Sequence, residues 1–409
     1  MKVLWITNIV LPPAVKAAGG KGTCFEGWLY SSLRKLSADK DYEFAVATVY
    51  KGKKVKRVEA EGVTYYLLPL QGKPETEYNQ HLEEYWRQVN VEFKPDVVHI
   101  HGSEFPHGLA WINACGGDKT AVSIQGLVSV CAKYFLHGLT ERECKVKTFR
   151  DILKRDSLRD KQKNFFARGA RERLLLSRVS DIIGRTEWDK AHAWAINPEA
   201  HYHYCGETLR PSFYRNKWSY ADCEPYSIFV SQASYPIKGL HKLLEAMRLV
   251  IREYPDVKIR VAGNDILNKP NWKISGYGKI LADRIREYGL EGRVEFTGQL
   301  DEEGMLQEYL KANVFVLPSA IENSPNSLGE AQMLGMPFVA SVCGGTPEIV
   351  GEATDALYRF DESEMLAKKI CGIFAMRENF SPKDFDEERY SGDRNASLLK
   401  DIYKEIKAR

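Results

Sequence analysis

Residues 313–336 read Asn313-Val314-Phe315-Val316-Leu317-Pro318-Ser319-Ala320-Ile321-Glu322-Asn323-Ser324-Pro325-Asn326-Ser327-Leu328-Gly329-Glu330-Ala331-Gln332-Met333-Leu334-Gly335-Met336. An apolar run, a short polar loop and a helical pattern follow one another. Ser324 is placed to cap the helix and Pro325 to open it at the first helical position, where a missing N–H does no harm. The amides of Asn326, Ser327 and Leu328 then point out of the helix start, toward the edge of a sheet. Open α/β sheets bind ligands at the C-terminal edge of their strands, and helix N-termini favour phosphate. Glu322 stands in the loop and Glu330 inside the helix, with seven residues between them. Two carboxylates flanking such a helix start suit hydroxyl groups on either side of a diphosphate. The same spacing also reads as a solvated loop acid and an ordinary helix-terminal charge.

Working outward, short apolar runs alternate with helical patterns over the whole chain. Strands are expected at 3–7, 44–49, 63–68, 97–100, 121–124 and 181–184, then at 227–231, 258–262, 294–297, 314–318 and 337–341. Most are continuous apolar runs, as parallel strands covered on both faces require. Helices are expected between them, among them 24–35, 241–253 and 280–288. This alternation, repeated twice, predicts an α/β chain of two Rossmann-like, doubly wound domains. Strand-like 201–204 gives way to the Pro-bearing stretch 205–226, which marks the break and gives domains 1–207 and 208–389. A last helix over 390–407 has no strand after it and is free to pack back on the first domain.

Composition agrees with two ordinary globular domains: 409 residues, 44% hydrophobic and 28% charged. No apolar run nears the roughly 20 residues that cross a bilayer. The opening Met1–Ile6 passes directly into polar Thr7-Asn8, which suits a first strand better than a signal peptide and predicts a cytoplasmic protein. The eight cysteines are scattered without a CxxC pair, so reduced thiols are expected rather than disulfides or a metal site. His99 and His101 have a metal-compatible spacing but no accompanying ligand cluster. Net charge is +3, yet residues 142–178 carry 13 basic against 5 acidic side chains. Interleaved with Phe149, Ile152, Leu153, Phe165 and Phe166, these residues are expected to form a surface helix for an anionic membrane, or a solvated face. Nothing in the chain reads as a nucleic-acid module.

The motifs resemble the family 4 (group 1) retaining glycosyltransferases of GT-B fold. Glu322 and Glu330 in their spacing, Met336-Pro337, and Gly344-Gly345-Thr346-Pro347-Glu348-Ile349-Val350 carry the resemblance. So do Ser231-Gln232 with Pro236-Ile237-Lys238-Gly239-Leu240, Val261-Ala262-Gly263-Asn264, and Phe296-Thr297-Gly298-Gln299-Leu300. In the first half, Asp96–Gly102 resembles the family's His-bearing strand end, and Gly19-Gly20 its loop at the diphosphate.

The resemblance implies two domains facing each other across a cleft, and a nucleotide-sugar donor. Glu330 would hold the ribose hydroxyls, Glu322 the transferred sugar, Lys238 the leaving diphosphate and His101 a sugar hydroxyl or the charge at the anomeric carbon. Gly19, Gly20, Gln232, Gly263, Leu300 and the amides of Asn326, Ser327 and Leu328 would complete the donor site. The family commonly has arginine where Gln232 stands; glutamine offers a hydrogen bond without charge. Gln125 and Tyr134 follow a first-half strand where a saccharide or lipid-linked acceptor could rest. No metal or other cofactor is implied. An epimerase or phosphorylase of the same fold, or a non-catalytic binding subunit, stands as the alternative.

Overall fold

A computed structural model describes residues 1–19, 27–70 and 77–409. The chain divides into two compact units: Met1–Val130 with Asn164–Thr208 and Glu388–Arg409, and Cys131–Lys163 with Leu209–Glu387.

The first unit holds β1 (Lys2–Thr7), β2 (Glu43–Tyr50), β3 (Lys56–Ala60), β4 (Val63–Pro69), β5 (Val97–His101), β6 (Thr120–Ser123), β7 (Asp181–Gly184) and β8 (His201–Tyr204). They form one sheet in the order β3-β4-β2-β1-β5-β6-β7-β8. All neighbours run parallel except β3, which lies antiparallel to β4. Sequence reading finds every strand of this sheet but β3. That strand, Lys-Arg-Val-Glu-Ala, lies on the sheet edge with no fully buried side chain, so it has no apolar run to betray it. The central β1 and β5 are buried almost throughout.

The second unit holds β9 (Glu224–Val230), β10 (Lys258–Val261), β11 (Val294–Phe296), β12 (Ala312–Leu317), β13 (Phe338–Ser341) and β14 (Leu357–Tyr358). Their order is β11-β10-β9-β12-β13-β14, all parallel. The chain runs outward from β9 to β11, then returns to the other side of β9 with β12. The strand order thus reverses between β9 and β12, the kind of switch point at which open α/β sheets bind ligands. The helix Leu240–Glu253 shows why these segments fold as they do: Leu240, Leu243, Leu244, Met247 and Val250 follow the helical period and are all buried.

The chain passes between the two units more than once. The C-terminal helix, Gly392–Ala408, belongs to the first unit. Its Tyr403 is fully buried there, and the Tyr403 hydroxyl accepts from Trp5 Nε1 at 2.9 Å. Residues 131–163, by contrast, group with the second unit although they lie between β6 and β7 of the first. Polar bonds explain this attachment. Arg284 binds Glu143 through two nitrogens (2.7 and 2.9 Å), the Asp151 carboxylate accepts from the Gly276 amide (2.8 Å), and the His137 carbonyl pairs with His241 Nε2 (3.0 Å).

Glu143 gives this attachment a pH signature. Burial opposes its charge, but the bonds from Arg284 and Thr140 outweigh burial and hold its pKa at about 2 against an ordinary 4.5. A depressed carboxylate pKa contributes stability that is complete above pH 4.5 and is lost as pH falls toward 2. With the side chain 19% exposed, we expect Glu143→Gln to cost about 2 kcal/mol near neutral pH. Thermal melts of both proteins should converge as pH falls below about 4; a gap that stays constant would contradict the ion-pair account.

Candidate functional site

Lys238 ends a short 3-10 turn, Pro236–Lys238, in the loop after β9. Gly239 follows with φ 72°, and a Cβ there would sit 1.6 Å from the Pro318 carbonyl oxygen, so only glycine lets the two loops meet. The Ala320 amide also donates to the Ile237 carbonyl at 2.7 Å. The loops after β9 and β12 are thereby stitched together across the switch point, and their charged side chains meet.

Lys238 Nζ lies 2.6 Å from Glu322 Oε1, which also accepts from Ser319 Oγ at 2.7 Å. Burial works against the lysine charge, but Glu322 more than offsets it and raises the Lys238 pKa above its ordinary value. The Glu322 carbonyl accepts from the Gly345 amide (3.1 Å), and Gly344 (φ 50°) packs against the same carbonyl so closely that no Cβ fits. The glycines of Gly344-Gly345 thus set the backbone that carries Glu322.

The helix beyond this loop is Asn326–Leu334, and Pro325 takes the cap position rather than the first helical one. Pro325 makes no side-chain cap bond, and Ser324 stands one residue before the cap position its type suggested. The Leu328 amide donates to the Pro325 carbonyl at 3.0 Å. The Leu328 amide is thus engaged within the first turn, and Asn326 and Ser327 supply the first two amides of the helix.

Glu330 is buried within the helix and is held by Arg210 through a bidentate pair, Nε at 2.7 Å and Nη2 at 2.6 Å. Burial pushes its carboxyl above the ordinary value; Arg210 and the neighbouring Tyr309 hydroxyl pull it back without cancelling the shift. Tyr309 donates to the Ser327 carbonyl at 2.9 Å. Sequence reading missed Arg210, Tyr309 and Ser319. Arg210 lies 120 residues from Glu330, and no local spacing announces such a pair.

At the far side of β9, Gly263 (φ 113°) donates to the Gly298 carbonyl at 2.9 Å. Neither glycine has an atom within 4 Å of where a Cβ would be, so open space faces both. Leu300 sits one residue before Asp301, the cap of the helix Glu302–Lys311. Gln232 is exposed just after β9.

In the first unit, His101 ends β5, 3% exposed, with neither ring nitrogen hydrogen-bonded among the described residues. Its ring packs at a tilt against Trp5 (4.2 Å between ring centres, 57° between planes) and His99 (3.8 Å, 33°). Burial, and then His99, lower its pKa well below 6.5, so the ring is neutral. His99 differs: its nitrogens meet the Tyr403 hydroxyl (2.7 Å) and Ser123 Oγ (2.6 Å), which makes it a structural latch for the C-terminal helix.

Gly19 is exposed with φ 79°, and Gly20 lies outside the described residues. Gln125 is tied to the buried Arg185, which donates to its carbonyl at 3.0 Å and is paired with Glu207. Tyr134 is exposed and belongs to the second unit, Gln125 to the first. Among the described residues no three His, Cys, Asp or Glu side chains cluster as metal ligands, and no helix is long and apolar enough to cross a membrane.

Solved structures share this architecture over the full chain. Sucrose-phosphate synthase from Thermosynechococcus elongatus matches with a TM-score of 0.63 at 16% identity, covering 100% of this chain and 97% of that one. HepE of Anabaena in complex with UDP-glucose matches at 0.59 and 15% identity, covering 100% and 97%. The fold is GT-B. Within this GT-B chain, residues 224–375 match the family model described as Glycosyl transferases group 1. The match lies wholly in the second unit and includes Lys238, Glu322 and Glu330. D-inositol 3-phosphate glycosyltransferase of Corynebacterium urealyticum is 29% identical over 178 residues, 42% of this chain and 41% of the relative. A GDP-mannose-dependent monoacylated alpha-(1-6)-phosphatidylinositol monomannoside mannosyltransferase of Corynebacterium glutamicum is 26% identical over 166 residues, 39% of this chain and 40% of the relative. The chain thus spans about two fifths of the length of these curated relatives.

Proposed function

We propose that the chain is a retaining glycosyltransferase that takes a hexose from a nucleotide-sugar donor and passes it to a saccharide or lipid-linked acceptor. The observation that carries this reading is the Lys238–Glu322 pair at the β9–β12 switch point, beside the helix start at Asn326 and Ser327. A fixed cation and helix amides suit a diphosphate, a neighbouring carboxylate suits a sugar hydroxyl, and Glu330 suits the ribose. The open space at Gly263 and Gly298 suits a base held by backbone. The group 1 match over the same residues supports the reading, as does the bound UDP-glucose of the structurally similar HepE.

In the proposed reaction the bond between the anomeric carbon and the diphosphate oxygen breaks. Negative charge grows on that oxygen, and Lys238, already oriented by Glu322, meets it with little reorganisation. The acceptor oxygen bonds the anomeric carbon from the face the diphosphate leaves, and its proton passes to the departing phosphate oxygen. His101, kept neutral by burial, is assigned a hydrogen bond to a sugar hydroxyl. Charge neutralisation falls to Lys238 and the helix amides, so the proposal needs no metal.

The freshly formed product should therefore keep the donor's anomeric configuration in proton NMR, and turnover should persist in EDTA. Inversion would defeat the retaining assignment. Activity abolished by EDTA and restored by magnesium would defeat the metal-free one.

A further inference from the structure

The basic stretch 142–178 does not form one amphipathic helix. It is divided among Glu141–Cys144, Phe149–Lys154 and Leu158–Leu176. The middle helix is inverted with respect to the usual rule that the apolar stripe faces the core. Its polar side is inward: Asp151, 2% exposed, accepts from the amides of Gly276 (2.8 Å) and Thr148 (3.3 Å) and from Arg150 (3.1 Å). Its apolar side is outward. Phe149, Ile152 and Leu153 share one face at i, i+3 and i+4 and are 65%, 65% and 73% exposed.

Charge surrounds this stripe on one sign only. Lys145, Lys147, Lys154 and Arg155 are exposed and form no ion pair among the described residues. The nearby acids are already matched: Asp151 and Asp156 by Arg150, and Glu141 by Arg159. The capping box of Thr148 and Asp151 and the left-handed Arg155 hold the turn rigidly at both ends. A stable protein interface needs about 800 Å² from each partner, more than one helical turn supplies. An anionic bilayer needs only a shallow apolar insertion and a ring of cations.

We propose that Phe149–Lys154 is a membrane-docking wedge. Phe149, Ile152 and Leu153 enter the headgroup–acyl boundary of an anionic bilayer, and the four cations engage its headgroups. Docking of this kind would bring the protein to a lipid-linked acceptor, yet it does not depend on the transferase reading, because binding can be measured without donor or acceptor.

The test is flotation of the full chain with vesicles of phosphatidylcholine alone or with about 30% phosphatidylglycerol, at about 50 mM and about 500 mM salt. The protein should float with anionic vesicles at low salt and bind at least about tenfold less at high salt or to neutral vesicles. Changing Phe149, Ile152 and Leu153 together to Ser should lower binding at least about tenfold without lowering Tm, since the side chains leave no core contact. Should that variant fail to fold, Leu153→Ser alone serves, with a smaller loss expected. Changing Lys145, Lys147, Lys154 and Arg155 to Ala should also remove the salt dependence. Failure of the unmodified protein to float with anionic vesicles would overturn the proposal. So would binding that survives both sets of changes, or a dimer that the Ser variant converts to monomer.

Discussion

Lys238→Ala lowers kcat by about a hundred- to a thousandfold while donor affinity falls less than about tenfold; this is the expected result if the lysine meets charge that develops only as the glycosidic bond breaks. The geometry makes the expectation sharp. Glu322, itself anchored by the Ser319 hydroxyl, holds the ammonium before any substrate arrives, so its cost of orientation is already met in the folded protein. The substitution also leaves Glu322 without its cation, although Ser319 stays as a hydrogen-bond donor. A parallel Glu322→Gln variant separates the two effects: it should keep the lysine near the site and lose turnover mainly through weaker sugar contact. Steady-state kinetics with a matched nucleotide-sugar, beside calorimetry of the nucleoside diphosphate, measures both quantities. Intact turnover with weakened donor binding would assign Lys238 to ground-state binding and remove its proposed role in the reaction.

For Glu330→Gln, nucleotide affinity should fall about 10- to 150-fold, the worth of about 1.5–3 kcal/mol for a charged hydrogen bond. A carboxylate offers about four lone-pair positions; Arg210 occupies two and the Tyr309 hydroxyl lies beside the group, so at most two stay available for the ribose hydroxyls. Glutamine keeps the volume but replaces one oxygen by a donor, which faces Arg210 with the wrong polarity or the ribose with half its acceptors. The more drastic Glu330→Ala should also lower Tm, because it strands a largely buried guanidinium; breaking such pairs costs about 3–5 kcal/mol when both partners are fully buried, and less here, where Arg210 is 23% exposed. Calorimetry on folded Glu330→Gln decides the matter. Unchanged affinity for every nucleoside diphosphate tried would take Glu330 out of the donor site.

Much of the fold is legible without coordinates because parallel strands announce themselves. Covered on both faces, β1, β5 and β12 must be apolar along their length, and a continuous apolar run is a local signal. β7 and β8 coincide with the expected segments 181–184 and 201–204. Glycines that permit close backbone approach, such as Gly239 and Gly344, are local signals too, since one residue's φ and one missing Cβ decide them. The cap of the helix Asn326–Leu334 shows the limit of local rules. Serine is the better capping type, yet the turn from Pro325 to Leu328 takes the cap one residue later and engages the Leu328 amide.

What the sequence by itself determined was the α/β class and most of the apolar runs that become the strands of two largely parallel sheets. Each of these depends on periodicity or composition within a few tens of residues. What only the tertiary structure decided depends on contacts between distant segments. Arg210 reaches Glu330, Tyr403 latches His99 and Trp5 beneath the C-terminal helix, and Glu143 and Asp151 tie residues 131–163 to the second unit. The outward turn of Phe149, Ile152 and Leu153 belongs to the same class. Their spacing is that of any amphipathic helix, and spacing reveals that an apolar stripe exists but not which way it faces. Here a buried aspartate bonded to a backbone amide 125 residues away turned the polar side in and left the apolar side to solvent.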